Sequence, residues 1–159
     1  MSFLRYLMLL SMIVWLGGLI FFSFVVAPTV FAVLPTHHLA GNVVSRTLTL
    51  LHWMGIVSGL VFLVCSMIYT RLSTGEANPF ATRHVLVYFM LGLTAISQFK
   101  LFPKMDALRK SMGEIDSVPL TDPARILFDS LHVWSTRLEV GVFLLGLVLV
   151  YLVAQQVRA

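Results

Sequence analysis

Two histidines and one glutamate are the side chains in this sequence that are the strongest candidates for binding a ligand or transferring a proton. His52 and His132 each follow a leucine near the start of an apolar run, and Glu139 lies inside the second of these runs. Ionisable groups within membrane-spanning helices are energetically costly, so each of them indicates a functional site. Imidazole is a ligand for both haem iron and copper. We therefore predict that His52 and His132 face each other and hold haem b or a copper ion between the helices.

Glu139 shares a helical stripe with two other polar residues. His132, Ser135 and Glu139 stand at positions i, i+3 and i+7, which lie on one face of an α-helix. At 1.5 Å per residue, Glu139 lies about 10 Å deeper than His132. This depth predicts that Glu139 is a proton acceptor or hydrogen-bond partner for a bound molecule, not a second ligand of the same ion.

A third apolar run carries further polar side chains towards the same end. Thr94 and Gln98 form an i, i+4 pair, and Lys100 follows them. If haem is bound, Lys100 is expected near its propionates. Gln98, with Ser135 and Glu139, is predicted to form a polar path.

The composition indicates that lipid surrounds the helices that carry these residues. Of the 159 residues, 58% are hydrophobic and only 11% are charged, and the mean hydropathy is +0.93. A helix needs roughly 20 residues to cross a bilayer, so four spans with short loops occupy the whole chain. We predict one all-α domain over residues 1–159, an integral membrane four-helix bundle.

The boundaries follow from the apolar runs and from local start signals. Asp122 is a good N-cap and Pro123 suits the first helical position, so the last helix is predicted to begin there, outside the hydrocarbon. His37 and His38 are expected in a solvated turn, and the spacing of Gly55 and Gly59 predicts close backbone packing. The predicted spans are 6–27, 45–69, 83–102 and 132–155, with an amphipathic extension over 104–112.

The two halves of the chain match at several positions. Phe24-x-x-x-Pro28 near the end of the first span matches Phe99-x-x-x-Pro103 near the end of the third, and Leu51-His52 matches Leu131-His132. Such a repeat predicts two similar helical hairpins packed as a bundle.

The net charge of +4 does not indicate nucleic acid. Lysine and arginine are spread over loops and helix ends, without a basic block. They are better explained as topology signals and as partners of lipid headgroups, and the predicted partner is the bilayer. The single cysteine, Cys65, excludes a disulfide within the chain and a C-x-x-C motif.

Several short motifs together resemble the transmembrane protein 205-like family, a membrane domain of unknown function found in bacteria and eukaryotes. The motifs are Trp15-Leu16-Gly17-Gly18, Phe24, Phe31, Leu34-Pro35-x-x-His38, His52, Leu101-x-Pro103-x-x-x-Ala107-Leu108 and His132-x-x-Ser135-x-x-x-Glu139. The predicted location is the bacterial inner membrane. Where this chain has Val133 and Glu139, the family often has glycine and asparagine, so no role for Glu139 is carried over from it.

The first span also resembles, more distantly, the four-helix membrane proteins grouped around copper-resistance protein D and the HemJ-type protoporphyrinogen oxidases. This second resemblance rests on the Trp-x-Gly-Gly-Leu and proline pattern. It implies haem or copper as a ligand.

Three functions of different classes follow from these residues. The first is a membrane protein that binds haem b or a metal through His52 and His132. The second is a small proton-coupled transporter in which Glu139 carries a proton, and which would work as a homo-oligomer because four helices enclose little space. The third is a structural or assembly protein without its own chemistry. The sequence contains no H-E-x-x-H, G-x-S-x-G or phosphate-loop motif, which argues against a conventional enzyme.

Overall fold

Four long helices make up the computed structural model, which describes residues 1–76 and 78–157. All four are long and apolar enough to cross a membrane, which confirms the predicted all-α membrane architecture. The elements are α1 (Ser2–Phe21), a π-helical turn (Phe22–Val26), α2 (Ala27–Val33), α3 (His37–Thr74), α4 (Thr82–Ile96), a second π-helical turn (Ser97–Leu101), α5 (Phe102–Met112), a 3₁₀ turn (Ile115–Ser117) and α6 (Pro123–Val157).

The elements combine into four spans that run alternately up and down. The first span is α1 continued through α2, the second is α3, the third is α4 continued through α5, and the fourth is α6. Each span packs on the next one in the chain, whereas the first and fourth spans pack together much less closely. The N-terminus therefore lies at one membrane face, and the loops 34–36 and 113–122 lie together at the opposite face. We call the latter the loop face.

The second helix is longer than predicted. It begins at His37, where the Thr36 hydroxyl accepts a hydrogen bond from the N–H of Leu39 at 3.2 Å as an N-cap. The prediction of a solvated turn at His37 and His38 is therefore wrong, because both residues are in the first helical turn. The fourth helix begins at Pro123 as predicted, with the Asp122 carboxylate accepting from the N–H of Ala124 at 2.8 Å.

The two prolines of the sequence repeat explain the π turns. A proline has no N–H to donate to the carbonyl four residues earlier. One residue before Pro28, the N–H of Ala27 bonds to the carbonyl of Phe22, and one residue before Pro103, the N–H of Phe102 bonds to the carbonyl of Ser97. Each wide turn adds a residue to the helix and so changes which side chains face the bundle.

The groove at Gly55 and Gly59 contains a side chain, not a neighbouring backbone. Trp15 is 2% exposed, and a β-carbon built on Gly55 would lie 2.4 Å from its Nε1 atom. A β-carbon on Gly59 would lie 2.8 Å from Cζ3 of the same ring. The small residues are thus required because the indole fills the space, and the prediction of direct backbone packing is wrong.

Candidate functional site

His52 is the centre of a hydrogen-bonded cluster that joins three spans. Its side chain is 2% exposed. Nδ1 lies 2.9 Å from Oε1 of Gln98 on the third span, and Nε2 lies 2.6 Å from Oε1 of Glu139 on the fourth span. Both ring nitrogens therefore have partners inside the bundle.

These contacts define where the protons are. The Gln98 oxygen can only accept, so Nδ1 of His52 must carry a proton and donate it. The contact between Nε2 and Glu139 then requires one further proton, on the imidazole or on the carboxyl group. Either arrangement has no net charge, which is the form that a membrane interior favours.

The second π turn places two more groups beside this pair. Ser97 is fully buried, and its hydroxyl donates to Oε1 of Glu139 at 3.3 Å. The Phe102 ring meets the His52 ring edge-on, with centroids 5.1 Å apart. The extra residue in the turn brings Ser97 and Gln98 to the cluster together, and an apolar ring covers the imidazole.

A cavity of about 510 Å³ extends from this cluster towards the loop face. Glu139, whose side chain is 14% exposed, lines the cavity, whereas His52 does not. Aromatic and aliphatic side chains form much of the wall, and they are Phe22, Phe31, Leu48, Phe102, Met105 and Phe128. The volume is within the range of about 300–1,000 Å³ that is typical of small-molecule sites.

An ion pair and a histidine–aspartate hydrogen bond lie at the outer end of the cavity. His37 Nδ1 lies 3.0 Å from Asp116 Oδ1, and Arg125 Nε lies 3.1 Å from Asp129 Oδ2. Arg125 also donates from Nη1 to the carbonyl of Ile115 at 2.5 Å. The contacts of Asp116 with His37 and of the Ile115 carbonyl with Arg125 hold the loop after the third span against the starts of the second and fourth helices.

The other predicted site residues have mixed placements. Ser135 is buried and lines the cavity, as does Glu139. His132 also lines the cavity, but it is exposed and makes no side-chain hydrogen bond with His52. Lys100 is exposed and is not part of the wall.

The predicted haem or copper site does not fit this geometry. Both nitrogens of His52 are already hydrogen-bonded, to Gln98 and Glu139, and His132 is not its partner. Within residues 1–76 and 78–157, no group of three or more His, Cys, Asp or Glu side chains could hold a metal ion together. The expectation that His52 and His132 face each other is wrong, because the cross-bundle partner of His52 is Glu139.

A second polar cluster, which the sequence analysis missed, lies towards the opposite face. His84 is fully buried; its Nδ1–H donates to the carbonyl of Asn78, and its Nε2 accepts from the Ser66 hydroxyl, both at 2.8 Å. Arg83 donates to the Thr70 hydroxyl beside it. His84 follows a polar turn in the sequence, which made it resemble a surface residue.

An apolar layer separates the two clusters. Phe62, Val87 and Met90 are all fully buried at the level between them. Thr94, on the side of the layer nearer Glu139, has a buried hydroxyl oxygen without a hydrogen-bond partner in the part of the chain that the structure describes. These buried apolar side chains lie between the polar cluster around His52 and the one around His84.

Comparison with known proteins identifies the family to which this chain belongs. Residues 10–114 match the model of a domain of unknown function (DUF4149), which covers His52, Ser97 and Gln98 but ends before Glu139. Neither a curated protein nor a solved structure matches the chain. Because the matched segment includes more than half of the 159 residues, the chain belongs to the DUF4149 family.

Proposed function

We propose that this integral membrane protein binds a small molecule in the cavity, and that the His52–Glu139 pair links this binding to a proton. One observation carries the proposal. Glu139 lines the cavity, while its partner His52, 2.6 Å away, is closed off behind it. A proton can therefore reach the pair through the carboxyl group that lines the cavity.

The link arises from the polarity of the cavity contents. In this proposal, water in the cavity lets the pair hold one proton more than in its neutral form and so become positively charged, because water stabilises the charge. When an apolar molecule displaces that water, the neutral form, with one proton on Nδ1 and one between Nε2 and Glu139, is the more stable. Binding of such a molecule therefore favours release of the extra proton.

The remaining titratable groups of the cavity wall stand nearer its outer end. His37, Asp116, Asp129 and His132 are all exposed there; His37 contacts Asp116, and Asp129 pairs with Arg125. Arg109 and Arg125 also line the wall and keep their charge at any physiological pH. Glu139 is thus the carboxyl group of the cavity wall that lies next to His52.

Glu139→Gln is the direct test of proton exchange. Glutamine has nearly the same shape and can still hydrogen-bond His52, but it cannot exchange a proton in this way. Infrared spectra of the protein in lipid nanodiscs, recorded before and after a pH step, should show a carboxyl signal in the wild type that this variant lacks. The control is Glu114→Gln, an exposed residue outside the cavity wall, which should keep the signal. Identical pH-difference spectra for wild type and Glu139→Gln would contradict the proposal.

Proton-coupled transport is a second candidate, favoured by the buried His84–Ser66 pair near the opposite face. Transport would require the layer of Phe62, Val87 and Met90 to open. Proton flux into proteoliposomes under an imposed membrane potential distinguishes the two candidates. A flux that depends on Glu139 supports transport, whereas a flux no faster than in empty liposomes supports binding at one face alone.

Two other hypotheses from the sequence, haem or copper binding and a structural or assembly role, can be tested on the same purified protein. The distant resemblance to haem- and copper-binding membrane proteins predicts a coloured or metal-containing protein. The hydrogen bonds of His52 instead predict a colourless protein whose absorption spectrum lacks a Soret band after haem is added. A structural or assembly role predicts binding of a partner protein and no change at Glu139 with pH.

A further inference from the structure

Arg109 is a buried charge that the contacts described so far leave without a counter-ion. It lies in the last turn of α5 and is 7% exposed. Its guanidinium stacks on the Phe128 ring, with Cζ 5.5 Å from the centroid. The guanidinium also approaches α3 at Gly41, where a β-carbon built on the glycine would lie 3.5 Å from Nη2 of Arg109. An aromatic ring and a glycine thus hold the planar group between two helices.

The neighbouring carboxylates are engaged elsewhere. Asp106, the acid whose charge acts on Arg109, is 2.6 Å from the ammonium of Lys110. Asp116 and Asp129 are paired with His37 and Arg125. No hydrogen bond or ion pair joins Arg109 to any residue in the described parts of the chain. A guanidinium has five N–H donors, and those of Arg109 are open to the cavity that it lines.

The surroundings of Arg109 combine a polar side and an apolar side. It lines the 510 Å³ cavity with the aromatic wall, and it also lines a second cavity of about 810 Å³. That second cavity is rich in polar and cationic side chains, among them His38, Asn42, Arg46 and Lys110. Arg109 therefore lies at the boundary between an apolar cavity and a polar cavity. A molecule with a charged head and an apolar body could place its head at this boundary.

From this arrangement we infer that the cavity binds an anionic amphiphile, with its carboxylate or phosphate group on Arg109 and its hydrocarbon chain along the aromatic wall towards Glu139. Guanidinium binds both kinds of anion through paired N–H donors. The hydrocarbon would displace water from beside Glu139, so the inference names the ligand class of the proposed function and rests on it.

The opening between the first and fourth spans is a route for such a molecule. Ser23 on the first span and Thr136 on the fourth line the cavity and are also exposed on the bundle surface. These two spans are the neighbours that pack least closely. An amphiphile can therefore enter sideways from the lipid, with its head remaining at the level of the loop face.

Native mass spectrometry in a non-ionic detergent tests the inference with four probes. Oleate and lysophosphatidic acid carry the two anionic heads, and oleyl alcohol and lysophosphatidylcholine are their uncharged or zwitterionic counterparts. The wild type should bind each anionic probe at least about tenfold more tightly than its counterpart, a ratio typical of hydrogen bonds to a charged group. The tighter anionic probe identifies a carboxylate or a phosphate as the preferred head.

Variants localise the effect. Arg109→Gln should remove the preference for the anionic probes, Arg109→Lys should keep part of it, and Lys104→Gln, an exposed residue on the same helix, should leave it unchanged. If Arg109→Gln does not fold, the affinity ratio between each anionic probe and its counterpart in the wild type still tests the inference. Equal binding of anionic and uncharged probes by the wild type would overturn the inference.

The binding measurements also test the anion site at Arg109 separately from the proton link, by which we mean the proposed coupling of ligand binding to a proton on the His52–Glu139 pair. Oleate binding that depends on Arg109, but is the same in Glu139→Gln at two pH values, would support the anion site and contradict the proton link. Equal binding of anionic and uncharged probes by the wild type, together with an infrared signal that depends on Glu139, would support the proton link and contradict the anion site.

Discussion

Replacing Glu139 by leucine, with His52 left in place, is expected to lower the free energy of unfolding by about 3 kcal/mol, the lower end of the range for breaking a buried ion pair. The imidazole, which is only 2% exposed, then loses its partner at 2.6 Å. The lower end applies because a denatured state within the membrane can find new partners for a polar group. Unfolding in mixed micelles of increasing denaturing-detergent content measures the loss.

The reciprocal variant and the double variant show whether the loss comes from the pair itself. His52→Leu should cost a similar amount, because it leaves the Glu139 carboxyl group without the imidazole. The double variant His52→Leu/Glu139→Leu should be clearly more stable than either single variant, because apolar residues can replace a buried pair. Val140→Leu, next in sequence but half-exposed on the bundle surface, is the control and should change little. Additive losses in the double variant would contradict a direct interaction.

Trp15→Ala is expected to cost about 3 kcal/mol as well, the lower end of the range for truncating a buried tryptophan. The indole is 2% exposed and fills the groove at Gly55 and Gly59. Lipid chains are as apolar as the core, so the lost packing, not transfer to water, accounts for the effect. The same unfolding assay applies, and Trp53→Ala on the bundle surface is the matched control with a much smaller loss.

A size exchange tests the fit between the indole and its groove. Gly55→Leu alone should destabilise by about 1–3 kcal/mol through overpacking, because its side chain must enter space that Trp15 occupies. Combined with Trp15→Ala, it should cost less than the sum of the two single changes, because each change relieves the other. Strict additivity would show that the two residues do not share this space.

Composition and spacing were sufficient to predict the fold. Four apolar runs in 159 residues require four spans, and Asp122 with Pro123 defines the start of the last helix. The sequence also shows the repeat of Pro28 and Pro103, but it does not show the π turns that accompany these prolines. Only the structure shows that each proline follows a π turn, because the wide turn depends on how neighbouring helices satisfy the backbone.

The partner of His52 was missed because the depth of the second helix was misjudged. A start near residue 45 placed His52 close to the membrane surface, level with His132. The helix in fact begins at His37, so His52 lies 15 residues along it, and Glu139 lies 16 residues beyond Pro123. At 1.5 Å per residue both are about 22–24 Å from their helix starts at the loop face, and so they meet.

Arg109 was missed for a related reason. The segment 104–112 was predicted as an interfacial extension, where an arginine would be solvated. Instead α5 continues the third span through the π turn, and its last turn packs against α3 and Phe128. Sequence periodicity cannot reveal this, because the inserted residue shifts the buried face of the helix part-way along it.

Nitrogen NMR of the His52 ring in lipid nanodiscs tests the central claim, a proton shared between His52 and Glu139, most directly. In the wild type, Nδ1 should be protonated, and Nε2 should carry the signature of a short hydrogen bond to a carboxyl group. In Glu139→Gln the Nδ1 signal should persist, because Gln98 still accepts from it, while the Nε2 signal should move clearly. Unchanged Nε2 signals in Glu139→Gln would contradict the account.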